Sequence, residues 1–244
     1  VIQEGFSEKV ITPGITATDD LVWWLRQKIR SLGYNTWFHP SVAAQRNDSL
    51  SFEHLRSFSN RPKNEVIQPG DLLHVDIGIT YLRLNTDVQQ HAYVLRPGET
   101  EVPVSIRKAF QKANELQDLL TAQFKTGKTG NQILADALAS AKAKGIDAVI
   151  YTHPLGLHGH AAGPTIGLWD QQGCVAGSGD YPVFENTAYS IELNAAGEIP
   201  EWKKTIRIML EEDGFYNAKG FRYTGGRQKE IYLIPRINQN VLIR

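Results

Sequence analysis

Apolar positions recur at helical spacing in three stretches of the chain. In the first, Leu21, Trp24, Leu25, Lys28 and Ile29 form an i, i+3, i+4 stripe. Thr16 or Thr18 can cap it, Asp19 and Asp20 suit the positive end of the first turn, and Ser31-Leu32-Gly33 ends it, so a helix is expected over 17–32. The second stretch, 103–124, carries Val104, Ile106, Phe110, Ala113, Leu116, Leu119 and Leu120. The third, 129–144, carries Ile133, Leu134, Leu138 and Ala141, with Gly127 and Gly145 as stops. Between and after the helices the pattern shortens. Residues 36–44 read as extended, and 45–64, rich in Asn, Ser, Arg and Pro, read as a loop. Pro69-Gly70-Asp71 turns the chain into the strand Leu72-Leu73-His74-Val75, and a return strand runs to about Leu95, ended by Arg96-Pro97-Gly98-Glu99. Further strands are expected at 147–152, 187–194 and 228–235, with a loop over 169–186 and only weak alternation over 204–212. Each half thus runs from helix to an acid-bearing strand region, an α+β order that hints at duplication.

Within the first strand pair, Asp76 and Asp87 are separated by ten residues. A fold-back at Tyr81-Leu82 pairs 80 with 83 and 79 with 84, and brings Asp76 opposite Asp87, with Cβ atoms about 5 Å apart on one face. Two such carboxylates repel, and burying them calls for a cation between them, most simply a hard divalent ion. The competing reading is an exposed hairpin with solvated acids.

Composition narrows the partners. The 244 residues include 26 Lys plus Arg and 26 Asp plus Glu, so no net field draws the protein to nucleic acid or to an anionic membrane. No window of eighteen apolar residues free of charge exists, and Val1-Ile2-Gln3-Glu4-Gly5 lacks the layout of a signal peptide. One cysteine, Cys174, excludes an internal disulfide framework and a thiolate zinc site, so any metal must be held by Asp, Glu and His. The sole methionine is Met209, which leads us to expect a processed form or the excised C-terminal domain of a longer chain.

The remaining candidates are His153, His158 and His160 in Thr152-His153-Pro154-Leu155-Gly156-Leu157-His158-Gly159-His160, Glu192 in Tyr189-Ser190-Ile191-Glu192, and Glu230 in Lys229-Glu230-Ile231-Tyr232. Taken singly, each reads as an outward strand acid or a loop histidine. Taken together, two Asp, two Glu and one His offer enough oxygen and nitrogen for two divalent ions with shared carboxylates.

In order and spacing these residues resemble the pita-bread metallopeptidases, the family of methionine aminopeptidase, Xaa-Pro aminopeptidase, prolidase and creatinase. Asp76 and Asp87 keep its first spacing, with Val75-Asp76-Ile77-Gly78 similar to its Asp-x-Gly strand, and His153 and His160 keep the second. His153-Pro154-Leu155-Gly156-Leu157 is closer to the Xaa-Pro-processing branch, and Ser190-Ile191-Glu192 and Glu230 fall in the order of the last two ligands. The resemblance implies a pita-bread α+β fold over 1–244: a single catalytic domain of two pseudo-twofold halves, with a curved, mainly antiparallel sheet covered by helices. It further implies that Asp76, Asp87, His153, Glu192 and Glu230 hold two divalent ions (manganese, cobalt or zinc), with Asp87 and Glu230 bridging. Glu192 would shuttle a proton for a metal-bridging hydroxide, and His160 would bind the substrate or its oxyanion. The implied protein is a homodimeric exopeptidase, an aminopeptidase or dipeptidase acting on short Xaa-Pro peptides.

The chain departs from the Xaa-Pro branch at several positions. Ser59 stands seventeen residues before Asp76 and Val149 four before His153, where that branch carries histidines, and Leu193-Asn194 follows Glu192 in place of Pro-Gly. His54 or His39 could reach the pocket instead. These departures motivate a second reading, a non-catalytic peptide-recognition module on the same fold; a metal-free creatinase-like hydrolase of that fold is another, from a branch that loses metal ligands, whereas all five are present here.

Overall fold

The structure is a computed structural model that describes residues 1–48 and 64–235. A short α1 (Ile2–Gly5) precedes α2 (Thr18–Ser31), which begins and ends within a residue of expectation. Ala17 occupies its N-cap, and the Asp20 carboxylate accepts the Ala17 N–H at 2.9 Å. The expected cap residues are used elsewhere: the Thr16 and Thr18 hydroxyls accept from Thr12 N and Glu65 N. Strands β1 (Asn35–Thr36), β2 (Ser41–Gln45), β3 (Leu72–Ile77), β4 (Ile79–Tyr81), β5 (Leu84–Asn85) and β6 (Val88–Val94) follow, then α3 (Val104–Thr121) and α4 (Gly130–Ala143). Thr129 caps α4 reciprocally with Gln132. Strands β7 (Ala148–Ile150), β8 (His153–Leu155), β9 (Thr187–Ile199), β10 (Lys204–Asn217), β11 (Gly220–Tyr223) and β12 (Tyr232–Ile234) complete the described chain.

One nine-stranded sheet, ordered β2-β3-β6-β10-β9-β7 with β8, β11 and β12 attached, runs through both halves, and all its pairings but β6 with β12 are antiparallel. The helices bury their apolar stripes in two clusters. Leu21, Val22, Leu25 and Ile29 of α2 pack with Leu73, Val75, Ile77, Ala92 and Val94. Ile106, Phe110, Ala113 and Leu116 of α3, with Ile133 and Leu134 of α4, pack with Ile191, Leu193, Ile208 and Leu210. Each half is therefore a helix laid on an acid-bearing antiparallel strand pair.

Two strand expectations are corrected. The weakly alternating 204–212 segment is the start of the fourteen-residue β10, paired along its length with β9 from Lys204↔Ile199 to Tyr216↔Thr187. From Ile208 to Glu212 both faces of the strand are buried, the one that carries Glu211 toward the site and the other against Gln228, which blurs the alternation. The first hairpin turns at Leu82-Arg83, not Tyr81-Leu82, both with positive φ (48° and 67°), so Thr80 pairs with Asn85 and Asp76 with Gln89. The shift is two residues. Because side chains alternate with a period of two, Asp87 stays on the face of Asp76, as its diagonal rather than direct neighbour.

Candidate metal centre

The register of the sheet writes the site as two rows of side chains. Asp76 on β3 is opposite Gln89 on β6, Gln89 opposite Glu211 on β10, and Glu211 opposite Glu192 on β9. One step along lies the second row: Asp87, whose N–H donates to Asp213 Oδ1 at 2.9 Å, then Asp213 opposite Ser190, and Ser190 opposite His153 on β8. Residues directly opposed, or two apart on one strand, share a face, so five strands deliver one cluster from residues scattered over 137 positions, from 76 to 213.

Asp76, Asp87, His153, Glu192 and Glu211 are all buried. Their ligand atoms gather in overlapping sets: Asp76, Asp87 and Glu211; His153, Glu192 and Glu211; Asp87, His153 and His160; within each set the atoms lie within 4.8 Å of one another. His153 Nδ1 lies 3.1 Å from the Pro154 carbonyl, to which it can donate. Its buried Nε2 has no hydrogen-bond partner among the described residues and lies 3.8 Å from Asp87, 3.9 Å from Glu192 and 3.6 Å from Glu211. These gaps are too long for hydrogen bonds and suit groups that meet at a shared cation, each about 2.0–2.6 Å from it. Burial, then Glu211, Asp76, Glu192 and Asp213 in turn, pushes the Asp87 carboxyl up to about 12. Burial first, then Glu211 and Asp76, holds Glu192 well above the carboxylate range. Bare, the cluster carries more negative charge than the fold can hold. The donor set, hard oxygens with one imidazole, fits divalent ions.

A cavity of about 380 Å³ opens onto the cluster, walled by Trp37, Phe38, Tyr151, His160, Leu168 and Trp169, with no Lys or Arg among the described residues that line it. The His160 ring stacks on His153, centroids 4.0 Å apart, and burial and His153 lower its pKa. Trp37 was not singled out by its sequence context. Its indole N–H donates to the Thr86 carbonyl at 2.8 Å, and its ring lies over Gly78 and Gly159, where an added Cβ would come within 2.0 and 2.1 Å. The glycine of Asp-x-Gly therefore makes room for the cavity wall.

Of the expected site residues, Asp76, Asp87, His153, His160 and Glu192 come together and Glu230 does not. Glu230 is exposed, precedes β12, and lines a separate pocket with Glu101, Arg107 and Lys229. The cluster instead contains Glu211, in the 204–212 segment whose weak alternation gave no sign of it. The signal available was the β9–β10 hairpin: folding back over Pro200–Lys203 puts 211 opposite 192. Val149 is buried in β7 and presents no hydrogen-bonding side chain. His39 is exposed and bonded to Arg26 against Trp23, away from the cavity. His158 is exposed in the loop after β8. Ser59 and His54 lie outside the described residues.

Residues 1–222 match the model of metallopeptidase family M24. No curated protein sequence matches the chain. Among solved structures, an X-Pro aminopeptidase from Thermotoga maritima superposes with a TM-score of 0.72 at 19% identity, over 95% of this chain and 58% of that one. An Xaa-Pro dipeptidase from Bacillus anthracis gives 0.67 at 20%, over 92% and 57%. The N-terminal domain of a FACT complex subunit from Cicer arietinum gives 0.65 at 12%, over 88% and 51%. The chain spans a little over half the length of these neighbours. The shared fold is the pita-bread α+β architecture that the resemblance implied.

Proposed function

Since the chain belongs to metallopeptidase family M24, we propose that it is a metal-dependent exopeptidase acting on short peptides, with Xaa-Pro peptides as the preferred class. The observation that carries this reading is His153 Nε2, without a hydrogen-bond partner among the described residues, facing three buried carboxylates across 3.6–3.9 Å. Asp76, Asp87, Glu192, Glu211 and His153 would hold two divalent cations, manganese, cobalt or zinc, which when bound supply Lewis acidity and the activation of water. Around them the chain's own groups do the rest. Glu192, which lines the cavity beside the cluster, is placed to take and return a proton. His160, whose ring stacks on His153 at the mouth of the cavity, can donate a hydrogen bond to a substrate carbonyl or to the oxyanion it becomes. Trp37, Phe38, Leu168 and Trp169 form an apolar wall that suits a proline ring or another compact apolar side chain. In solution a homodimer is the proposed assembly.

The test is turnover of Xaa-Pro peptides against Met-starting peptides by protein loaded with Mn²⁺ or Co²⁺. Cleavage of the Xaa-Pro bond, lost on chelation and restored by the metal, is expected, and Asp87→Ala should abolish it. Full activity after chelation would overturn metal dependence, and peptide binding without turnover at any loading would make the protein a recognition module.

A further inference from the structure

Between Asp76 and Glu211 in the first row stands one neutral residue, Gln89, buried at 1% exposure. Its side-chain amide nitrogen donates to Glu192 Oε1 at 2.7 Å and to Glu211 Oε2 at 2.7 Å, using both hydrogens on carboxylates of two different strands. Its Oε1 lies 2.7 Å from His74 Nε2, which donates to it in the Nε2–H tautomer. Only this orientation of the amide works, since the carboxylates and the imidazole N–H require opposite ends of it. The oxygens that Gln89 leaves unclaimed, Glu192 Oε2 and Glu211 Oε1, are the ones 3.9 and 3.6 Å from His153 Nε2. Ser190 Oγ, at 2.5 Å, holds Glu211 Oε1 from the other side.

We propose that Gln89 is a positioning residue for the metal centre: by binding one oxygen of each glutamate it fixes the rotation of both carboxylates, so that the other oxygen of each is presented with His153 to one ion. The inference rests on reading the cluster as a metal site. An amide suits the task because it crosslinks two carboxylates without adding charge of either sign, whereas a Lys or Arg would compete with the cation. His74 locks the amide against flipping, which would turn its oxygen toward the carboxylates. Outer partners of metal ligands act in this way, and their loss lowers metal affinity about 10–100-fold.

Gln89→Met keeps the length and removes both donors. Titration of metal-free protein with Co²⁺ should show affinity lower by about 10–100-fold, with changed visible d–d bands, while the far-ultraviolet circular dichroism of the metal-free protein is retained. A Co²⁺ isotherm within twofold of the unsubstituted protein and unchanged bands would overturn the proposal. Should Gln89→Met fail to fold, the unsubstituted protein decides: with ¹⁵N-labelled glutamine, one slowly exchanging side-chain amide pair should shift on Zn²⁺ addition, and the absence of such a pair overturns the proposal. If the unsubstituted protein binds no Co²⁺ at all, the metal reading itself falls, and this inference with it. If it binds and Gln89→Met binds equally, only the role of Gln89 falls.

Discussion

Glu211 and Glu230 are both strand-region glutamates near the C-terminal end of the chain, and only one of them is 1% exposed and opposite Glu192. Glu211→Gln removes a charge that touches two of the ligand sets, so it should cut metal content and peptide turnover by at least about 100-fold, beyond the effect of losing an outer partner. Glu230→Gln, 19 residues on and in a different pocket, should leave both within twofold. Metal analysis by mass spectrometry and initial rates on an Xaa-Pro peptide check the pair, and the reverse pattern would restore Glu230 as the ligand. The contrast shows what the sequence holds at this scale. Asp76, Asp87, His153 and Glu192 sit in short motifs whose neighbours mark them, Gly78 making way for Trp37 and Pro154 offering His153 a carbonyl. Glu211 has no such local mark: its chemistry comes from a partner on another strand. Gln89 was invisible for the same reason, since a glutamine after Asp87-Val88 says nothing until β10 lies beside it.

Elements, by contrast, were largely legible, because helices α2, α3 and α4 carry amphipathic stripes and glycine stops that act within one segment. What failed was register, which depends on turn geometry rather than on pattern. The turn between β4 and β5 puts both Leu82 and Arg83 in the left-handed region, the conformation of a two-residue type I′ hairpin normally made by Asn-Gly. Neither residue advertises such a turn, so the fold-back was expected one residue early. Leu82 is 77% exposed, so no packing favours it there. Left-handed backbone costs an ordinary residue of order 1 kcal/mol. Replacing Leu82-Arg83 with Asn-Gly should therefore raise stability by about 0.5–1 kcal/mol, after the entropy that glycine adds to the unfolded chain. Urea midpoints read the change, and a fall in stability would mean that the exposed leucine is held by something on the surface. The site should be unmoved, because Thr80↔Asn85 and Asp76↔Gln89 keep their register under either turn sequence.

Across the whole molecule, two halves each contribute an acid-bearing strand pair, and the sheet forces the acids together where β6 meets β10. The architecture therefore concentrates negative charge at its own centre, and the sign of the resulting pH dependence can be worked out. Asp87 is pushed up to about 12, Glu192 well above its usual range, Glu212 to about 8 and Asp213 to about 7, in each case with burial as the largest cause. A carboxyl whose folded pKa lies above its unfolded value keeps its proton in the native state after the unfolded chain has lost it. Its stabilisation is full below the unfolded pKa, near 4, and drains away as pH rises toward the folded pKa. From pH 6.5 Asp213 acts in this sense only to about pH 7 and Glu212 to about pH 8, whereas Asp87 and Glu192 act across the whole window to pH 9, and each retained proton lowers stability by about 1.4 kcal/mol per pH unit. His91, lowered to about 4 by complete burial, acts in the opposite sense only below its ordinary value of 6.5 and so leaves this window clear. Chelator-treated protein should thus become steadily easier to unfold in urea from pH 6.5 to 9. Divalent ions should flatten or reverse the slope, since they bind the deprotonated cluster and the native state alone, and their own stabilisation grows as protons leave. Unfolding curves at four pH values, with and without Mn²⁺, test the argument. A metal-free protein whose stability rises from pH 6.5 to 9 would mean that the acids are already ionised and paired by something other than a metal.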